Sequence, residues 1–142
     1  MKPEKSLYVF TDGGARGNPG LAAIGFVVRD NFGKTLVKQG KTIGYATNNM
    51  AEYQAVIEAL RWILVKIKEP FLTVNFYLDS ILVVNQLNGL FKIKNKNLKN
   101  LVIEVKNLEK KINKINGEIF YYYIPREKNK QAHFLVHSFI TG

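Results

Sequence analysis

A long helical pattern sits between runs that read as strands, and that order leaves few topologies open. From Met50 to about Lys68, Ala51, Ala55, Leu60, Ile63, Leu64 and Ile67 recur at helical spacing until Pro70 ends the run, because proline has no backbone N–H with which to continue a helix. Ahead of it lie three strand patterns: Leu7-Tyr-Val-Phe10, Ala22 to Arg29, and Thr35 to Ile43, the last two joined through the turn Asp30-Asn-Phe-Gly33. Such short connections imply an antiparallel meander. Behind it, Leu72-Thr-Val-Asn-Phe-Tyr-Leu78 reads as a fourth strand. Reached through a helical crossover, that strand is expected to lie parallel to the first.

Ser80 to Asn88 reads as a short helix closed by Gly89. Asn97 to about Lys114 reads as a longer one, with Leu98, Leu101, Val102, Val105, Leu108, Ile112 and Ile115 at helical spacing and Lys99, Lys106, Lys110 and Lys114 on the other face. Glu118 to Ile124 is a fifth strand and Asn129 to Ile140 a closing helix. With no internal repeat or linker, the expectation is a single α/β domain over residues 1–142. Its mixed five-stranded sheet has strands one to three as an antiparallel meander and strands four and five parallel to the first, with helices on its faces.

A chain of 142 residues can bury a real core. Its 21 Lys and Arg outnumber 11 Asp and Glu, for a net charge of +10. That surplus points to a polyanionic partner, most simply nucleic acid, although a bias toward Lys, Asn and Ile also arises from genome composition. The absence of cysteine excludes disulfides, thiolate catalysis and zinc–sulfur sites. Met1 to Ser6 lacks the apolar core of a signal peptide, and the longest apolar region, Ala55 to Ile67, is broken by Glu58 and Arg61. A soluble, cytoplasmic monomer with no membrane attachment and no obligatory protein partner is expected.

Two of the expected strands end in a carboxylate. Asp12 follows the first, within Phe10-Thr-Asp-Gly-Gly-Ala-Arg-Gly-Asn-Pro-Gly20, and Asp79 follows the fourth. Neighbouring strands lie about 4.8 Å apart, so the two carboxylates can meet at the end of the sheet where α/β ligand sites form. Glu52 stands in the first turn of the long helix, within Thr47-Asn-Asn-Met-Ala-Glu-Tyr53. Each also has a local reading: Asp12-Gly-Gly as a turn, Asn49 with Glu52 as a capping box, and Asp79 as the N-cap of the Ser80 helix. Together, three carboxylates without paired cations repel one another unless a metal neutralises them. An all-oxygen set suits Mg²⁺ or Mn²⁺, and carboxylate clusters holding two such ions about 3.5–4 Å apart cut phosphodiesters. A basic surface added to this argues for a metal-dependent nuclease.

The motifs Asp12-Gly-Gly-x-x-Gly-Asn-Pro-Gly, Thr47-Asn-Asn-x-Ala-Glu-Tyr, Asp79-Ser and Pro125-Arg-Glu-x-Asn-x-x-Ala132 fall in the order and spacing of type 1 ribonuclease H. The chain most resembles the short bacterial and archaeal branch, also called reverse-transcriptase-like ribonuclease H domains, over nearly its whole length. The resemblance implies a ribonuclease H-like fold and hydrolysis of the RNA strand of an RNA–DNA hybrid, leaving 5′-phosphate and 3′-hydroxyl ends. It implies two Mg²⁺ ions per site with substrate bound, Mn²⁺ being the alternative, held by the catalytic carboxylates Asp12, Glu52 and Asp79. It also implies that the Gly13 backbone, Asn48 and Asn49 touch RNA in the minor groove, where a 2′-hydroxyl marks RNA from DNA, and that Asn18, Arg29 and Thr47 grip a DNA-strand phosphate. Asn18 reads equally as a turn residue before Pro19, and Arg29 as a strand-end surface charge. Lys92, Lys94, Lys96 and Lys99 add phosphate contacts or form a solvated face.

The pattern breaks at one position. The family carries an Asp directly after the Ala of Asn-x-x-Ala, and here that residue is His133. Imidazole is a poor Mg²⁺ ligand, so one reading is an inactive relative. The other keeps His133 in the catalytic and metal site, as a Mn²⁺-tolerant ligand or a proton shuttle to the leaving group; the surviving carboxylates and asparagines favour it. His137, one turn on, reads as structural. Arg126 and Glu127 occupy the region of the family's loop histidine, and the short stretch from Gly89 to Asn97 leaves no room for the lysine-rich helical insertion of some members. Weaker and more salt-sensitive hybrid binding is expected in consequence. The rival readings are a non-catalytic or weakly active hybrid-binding module and a nuclease of the same fold acting on another nucleic acid.

Overall fold

The first strand outruns its apolar stretch. The computed structural model describes residues 5–70, 73–90 and 92–140, and in it β1 (Ser6–Arg16) pairs antiparallel with β2 (Gly20–Arg29) well past Phe10, Asp12 facing Gly25 and Gly13 facing Ile24. Asp12-Gly-Gly is therefore neither a turn nor a strand end. The ladder to β2 carries the strand onward, and the chain reverses only at residues 17–19, where Gly17 takes a φ of 80° that glycine adopts without strain.

β3 (Thr35–Ala46) likewise runs past Ile43, the expected end of that strand, through a register irregularity opposite Ala22 and Ala23. The long helix α1 (Asn48–Lys66) then crosses to β4 (Thr73–Leu78), which pairs parallel with β1. Leu72, the expected start of that strand, lies outside the described residues. Next come α2 (Ile81–Leu87), α3 (Lys96–Lys114) and β5 (Glu118–Tyr123), which is parallel to β4. A 3₁₀ turn (Arg126–Lys128) leads into α4 (Lys130–Ile140). The sheet order is β3-β2-β1-β4-β5, the mixed topology expected from the crossover.

Side chains alternate across a strand, and the glycines of β1 reveal which helix covers which face. A Cβ on Gly13 would lie 2.2 Å from the Ala51 carbonyl carbon of α1, whereas one on Gly14 would meet Val136 of α4. The two helices therefore press on opposite faces. α4 also crosses Gly25 and Gly40, where an added Cβ would come within 2.7 Å of the Ala132 carbonyl oxygen and 2.8 Å of the Phe139 ring. On the α1 side, Tyr53, Ile57, Leu60 and Ile63 meet Val9, Phe26, Phe76 and Leu78 of the sheet and Val105 and Ile112 of α3. Buried Tyr53 donates to Gln86 Oε1 at 2.6 Å, tying α1 to α2, and burial pushes its phenol up to about 12.

Gly13→Ala forces α1 and β1 apart at their closest approach. Overpacking of this kind costs about 1–3 kcal/mol, and a loss of that size is expected in urea unfolding; an unchanged midpoint would contradict the contact.

Candidate metal centre and nucleic-acid cleft

The β1–β4 pairing ends at Phe10 and Tyr77. Beyond it β1 continues with β2 as partner on one side only, leaving a gap between the helical layers into which Asp12, Glu52 and Asp79 all project. Oxygens of these three carboxylates lie within 4.8 Å of one another. Asp12 and Glu52 are only 2% and 5% exposed.

Capping explains why Glu52 and Asp79 are free to do this. Thr47, not Asn49, caps α1, its Oγ1 accepting from the Met50 N–H at 3.1 Å; the Asn49–Glu52 capping box does not form, and Glu52 is turned into the sheet. Ser80, not Asp79, caps α2 by accepting from the Val83 N–H. Neither carboxylate is spent on a helix end.

The α4 side supports the group. His133 Nδ1 lies 3.1 Å from Asp12 Oδ2. His133 thus joins through Asp12; the convergent set among the described residues is the three carboxylates. The His137 ring lies 4.1 Å from that of His133, centroid to centroid. Two supporting residues were not singled out from sequence. Asn129, 1% exposed, donates from Nδ2 to the Thr11 carbonyl at 2.8 Å and to Asp79 Oδ2 at 3.3 Å. Arg126 brings Nε to 3.9 Å from the same oxygen. Both sit in the Pro125-Arg-Glu-x-Asn motif, which was the available signal.

The carboxylates open into a cleft of 420 Å³ that also contains Gly13, Gly14, Asn48, Asn49, Ser80 and both histidines. Asn48 Oδ1 accepts from the Ala15 N–H at 2.8 Å, and the Asn48 N–H donates to Asn18 Oδ1 at 2.9 Å. Asn18, Thr47 and Asn48 therefore share one rim. Gly13 is lean because α1 packs on it, not because the space beside it is open. Arg29 is not brought to this rim: it pairs across from Tyr8, donates to Gln131 Oε1 at 2.5 Å, and so stands apart from Asn18 and Thr47.

Burial raises the Glu52 carboxyl well above its ordinary range; the charge of Asp12, a hydrogen bond shared with Asp12, and the charge of Asp79 push the same way, against the Gly13 backbone amide. Asp79 is raised by burial and by Asp12, with Asn129, Arg126 and His133 opposing. Asp12 Oδ1 and Glu52 Oε2 are buried without a hydrogen-bond partner. Clustered, repelling, all-oxygen and partly unsatisfied, the site fits a hard divalent cation.

A stability consequence follows for the metal-free protein. Below the ordinary carboxyl value of 4.5, Glu52 holds its proton folded or unfolded. As pH rises above it, the unfolded chain releases that proton first, so folding loses stability until the folded group ionises too. Glu52→Gln is expected to raise the thermal midpoint in EDTA by an amount that grows from acidic to neutral pH, and to shrink the upward shift that Mg²⁺ produces in the native chain. Parallel pH profiles for the two proteins would rule this out.

A family model described as reverse transcriptase-like matches residues 10–139. A bifunctional protein of Mycobacterium tuberculosis is 38% identical over 127 residues, covering 89% of this chain and 33% of its own length; the chain thus spans about a third of the mycobacterial relatives it matches. Ribonuclease HI of Halobacterium salinarum is 32% identical over 142 residues, covering 97% of the chain and 67% of that protein. LC11-RNase H1, solved in complex with an RNA/DNA hybrid, superimposes with a TM-score of 0.85 at 37% identity over 97% of each chain. Sheet order, matched length and relatives agree: the chain belongs to the type 1 ribonuclease H family, among its reverse-transcriptase-like domains.

Proposed function

We propose that the chain, as a single domain over residues 1–142, is a divalent-metal-dependent endoribonuclease that hydrolyses the RNA strand of RNA–DNA hybrids and leaves 5′-phosphate and 3′-hydroxyl ends. The observation that carries this reading is the convergence of Asp12, Glu52 and Asp79 within 4.8 Å. The hybrid bound in the LC11 relative supports the substrate class. Asp12, Glu52 and Asp79 would hold Mg²⁺, or Mn²⁺ in its place, as two ions once substrate is bound. When bound, such ions activate the attacking water and neutralise charge at the departing 3′ oxygen.

The remaining work belongs to side chains around that group. Asn129 and Arg126 orient Asp79 through its Oδ2. With Nδ1 directed at Asp12, the His133 ring leaves Nε2 to exchange a proton with the leaving oxygen. Asn48 has its carbonyl oxygen engaged by Ala15, which leaves its amide NH₂ to read acceptors in the RNA minor groove, with Asn49 and the Gly13 backbone beside it. Asn18 similarly commits Oδ1 to Asn48 and keeps its NH₂ for a DNA-strand phosphate, next to the Thr47 hydroxyl. Arg29 has no part in that grip. A cytoplasmic monomer needing no protein partner completes the reading; the cysteine-free sequence suits a reducing compartment.

Labelled hybrid, double-stranded RNA and DNA incubated with Mg²⁺ or Mn²⁺ test the substrate class: cleavage confined to the RNA of the hybrid is expected. Asp79→Asn should lower cleavage at least about a hundredfold, more than loss of a supporting partner typically costs, while hybrid binding persists. Native protein that binds hybrid but cuts it with neither ion is a binding module instead, the reading that His133 in place of Asp favours. Comparing native chain, His133→Asp and His133→Ala in each metal isolates this residue. Slower cleavage by His133→Ala is expected, and equal rates for all three would remove His133 from the chemistry.

A further inference from the structure

α4 covers only part of its side of the sheet. It lies over β1, β2 and β3, and among the described residues no helix crosses β4 or β5 on that side. The uncovered part carries a row of rings. Phe10 and Tyr77 have centroids 5.1 Å apart, Tyr77 and Tyr122 5.5 Å, and Phe120 and Tyr122 6.4 Å, each pair within 26° of parallel. Tyr8 stacks on Tyr77 at 6.4 Å. Cross-strand aromatic pairs stabilise a sheet, but that role needs no exposure, and Phe120 and Tyr122 are 38% and 44% exposed.

The opposite end of the row is cationic. The Arg29 guanidinium lies 5.5 Å from the Phe10 centroid, and its Nε is buried without a partner. Lys128 and Lys130 join Arg29 and Phe10 around a 260 Å³ cavity whose single acidic lining residue is Glu127. Asn129 lines the same cavity and touches Asp79, so the cavity backs onto the carboxylate group. The two ends of the row are separated by the β1–β4–β5 width, about 10 Å, which a few nucleotides span.

We propose that this face binds single-stranded nucleic acid, with bases stacking on the open rings of Phe120 and Tyr122 and phosphates meeting Arg29, Lys128 and Lys130. Aromatic platforms beside a basic groove hold single strands by this chemistry, and a guanidinium over a ring adds to it. Charge disfavours a second copy as occupant: the chain carries +10, and two cationic rims would face each other. The surface lies on the far side of Asn129 from the cleft and requires no cleavage, so it stands or falls independently of the nuclease reading.

The test is fluorescence anisotropy in EDTA with a labelled oligothymidylate of about 15 nucleotides. Phe120→Ser with Tyr122→Ser leaves the charge unchanged and is expected to weaken binding about tenfold; Arg29→Gln should weaken it severalfold. Equal affinity of native and doubly substituted proteins, with folding verified by circular dichroism, overturns the proposal. A measurement on the native chain alone guards against misfolded variants: an abasic oligonucleotide of the same length is expected to bind about tenfold more weakly than oligothymidylate, and equal binding again overturns it. Sedimentation decides the remaining rival, because a native dimer dissociated by the double substitution assigns the face to a second copy.

Discussion

Helix α1 approaches β1 at Gly13 so closely that no side chain fits between them, and the position of Glu52 relative to Asp12 depends on that approach. The two carboxylates come from different layers of the molecule, one from a strand and one from a helix. They meet because the helix backbone rests directly on the strand backbone one residue beyond Asp12. A Cβ at that point would lie 2.2 Å from the Ala51 carbonyl carbon, so the layers would have to move apart. The same contact buries both carboxyls and so produces the electrostatic strain that distinguishes the site from an ordinary polar patch.

That strain is resisted by the opposite layer. Asn129 spans from the Thr11 carbonyl to Asp79, and His133 reaches Asp12, so the final helix and its leading turn hold two of the three carboxylates. Arrangements that favour ion binding over apoprotein stability are common at functional sites. Here the cost falls on Asp12, Glu52 and Asp79, while a conventional core of Tyr53, Leu60, Phe76 and Ile112 sustains the fold around them.

Much of this was legible in the sequence, for identifiable reasons. The crossover through α1 determined the parallel β1–β4 pairing, and the apolar spacing of α1 and α3 marked their buried faces. Asp12, Glu52 and Asp79 stood out because the expected topology carries all three to one end of the sheet. The misreadings came from local signals overruled by distant partners. Asp12-Gly-Gly resembles a turn, yet pairing with β2 keeps it extended. Asn49 and Asp79 resemble caps, yet Thr47, two residues before the first, and Ser80, next to the second, perform that task. Arg29 had the right chemistry for phosphate but the wrong register: it faces Tyr8, at the other end of β1 from the asparagine rim. Asn129 escaped notice as a site residue because its importance lies in two bonds to residues far away in the chain.

Those two bonds, with the one from His133, have a kinetic meaning. The Asn129–Thr11 contact joins residues 118 positions apart and His133–Asp12 residues 121 apart, nearly the widest separations the fold contains. Contacts of that span carry a large loop-closure cost that must be met before they stabilise anything. Asp12, Glu52 and Asp79 come from β1, α1 and β4, whereas two of the three are restrained by residues of α4 and its leading turn. A chain in which α4 is undocked therefore has the charges of the site without the bonds from Asn129 and His133 that restrain them.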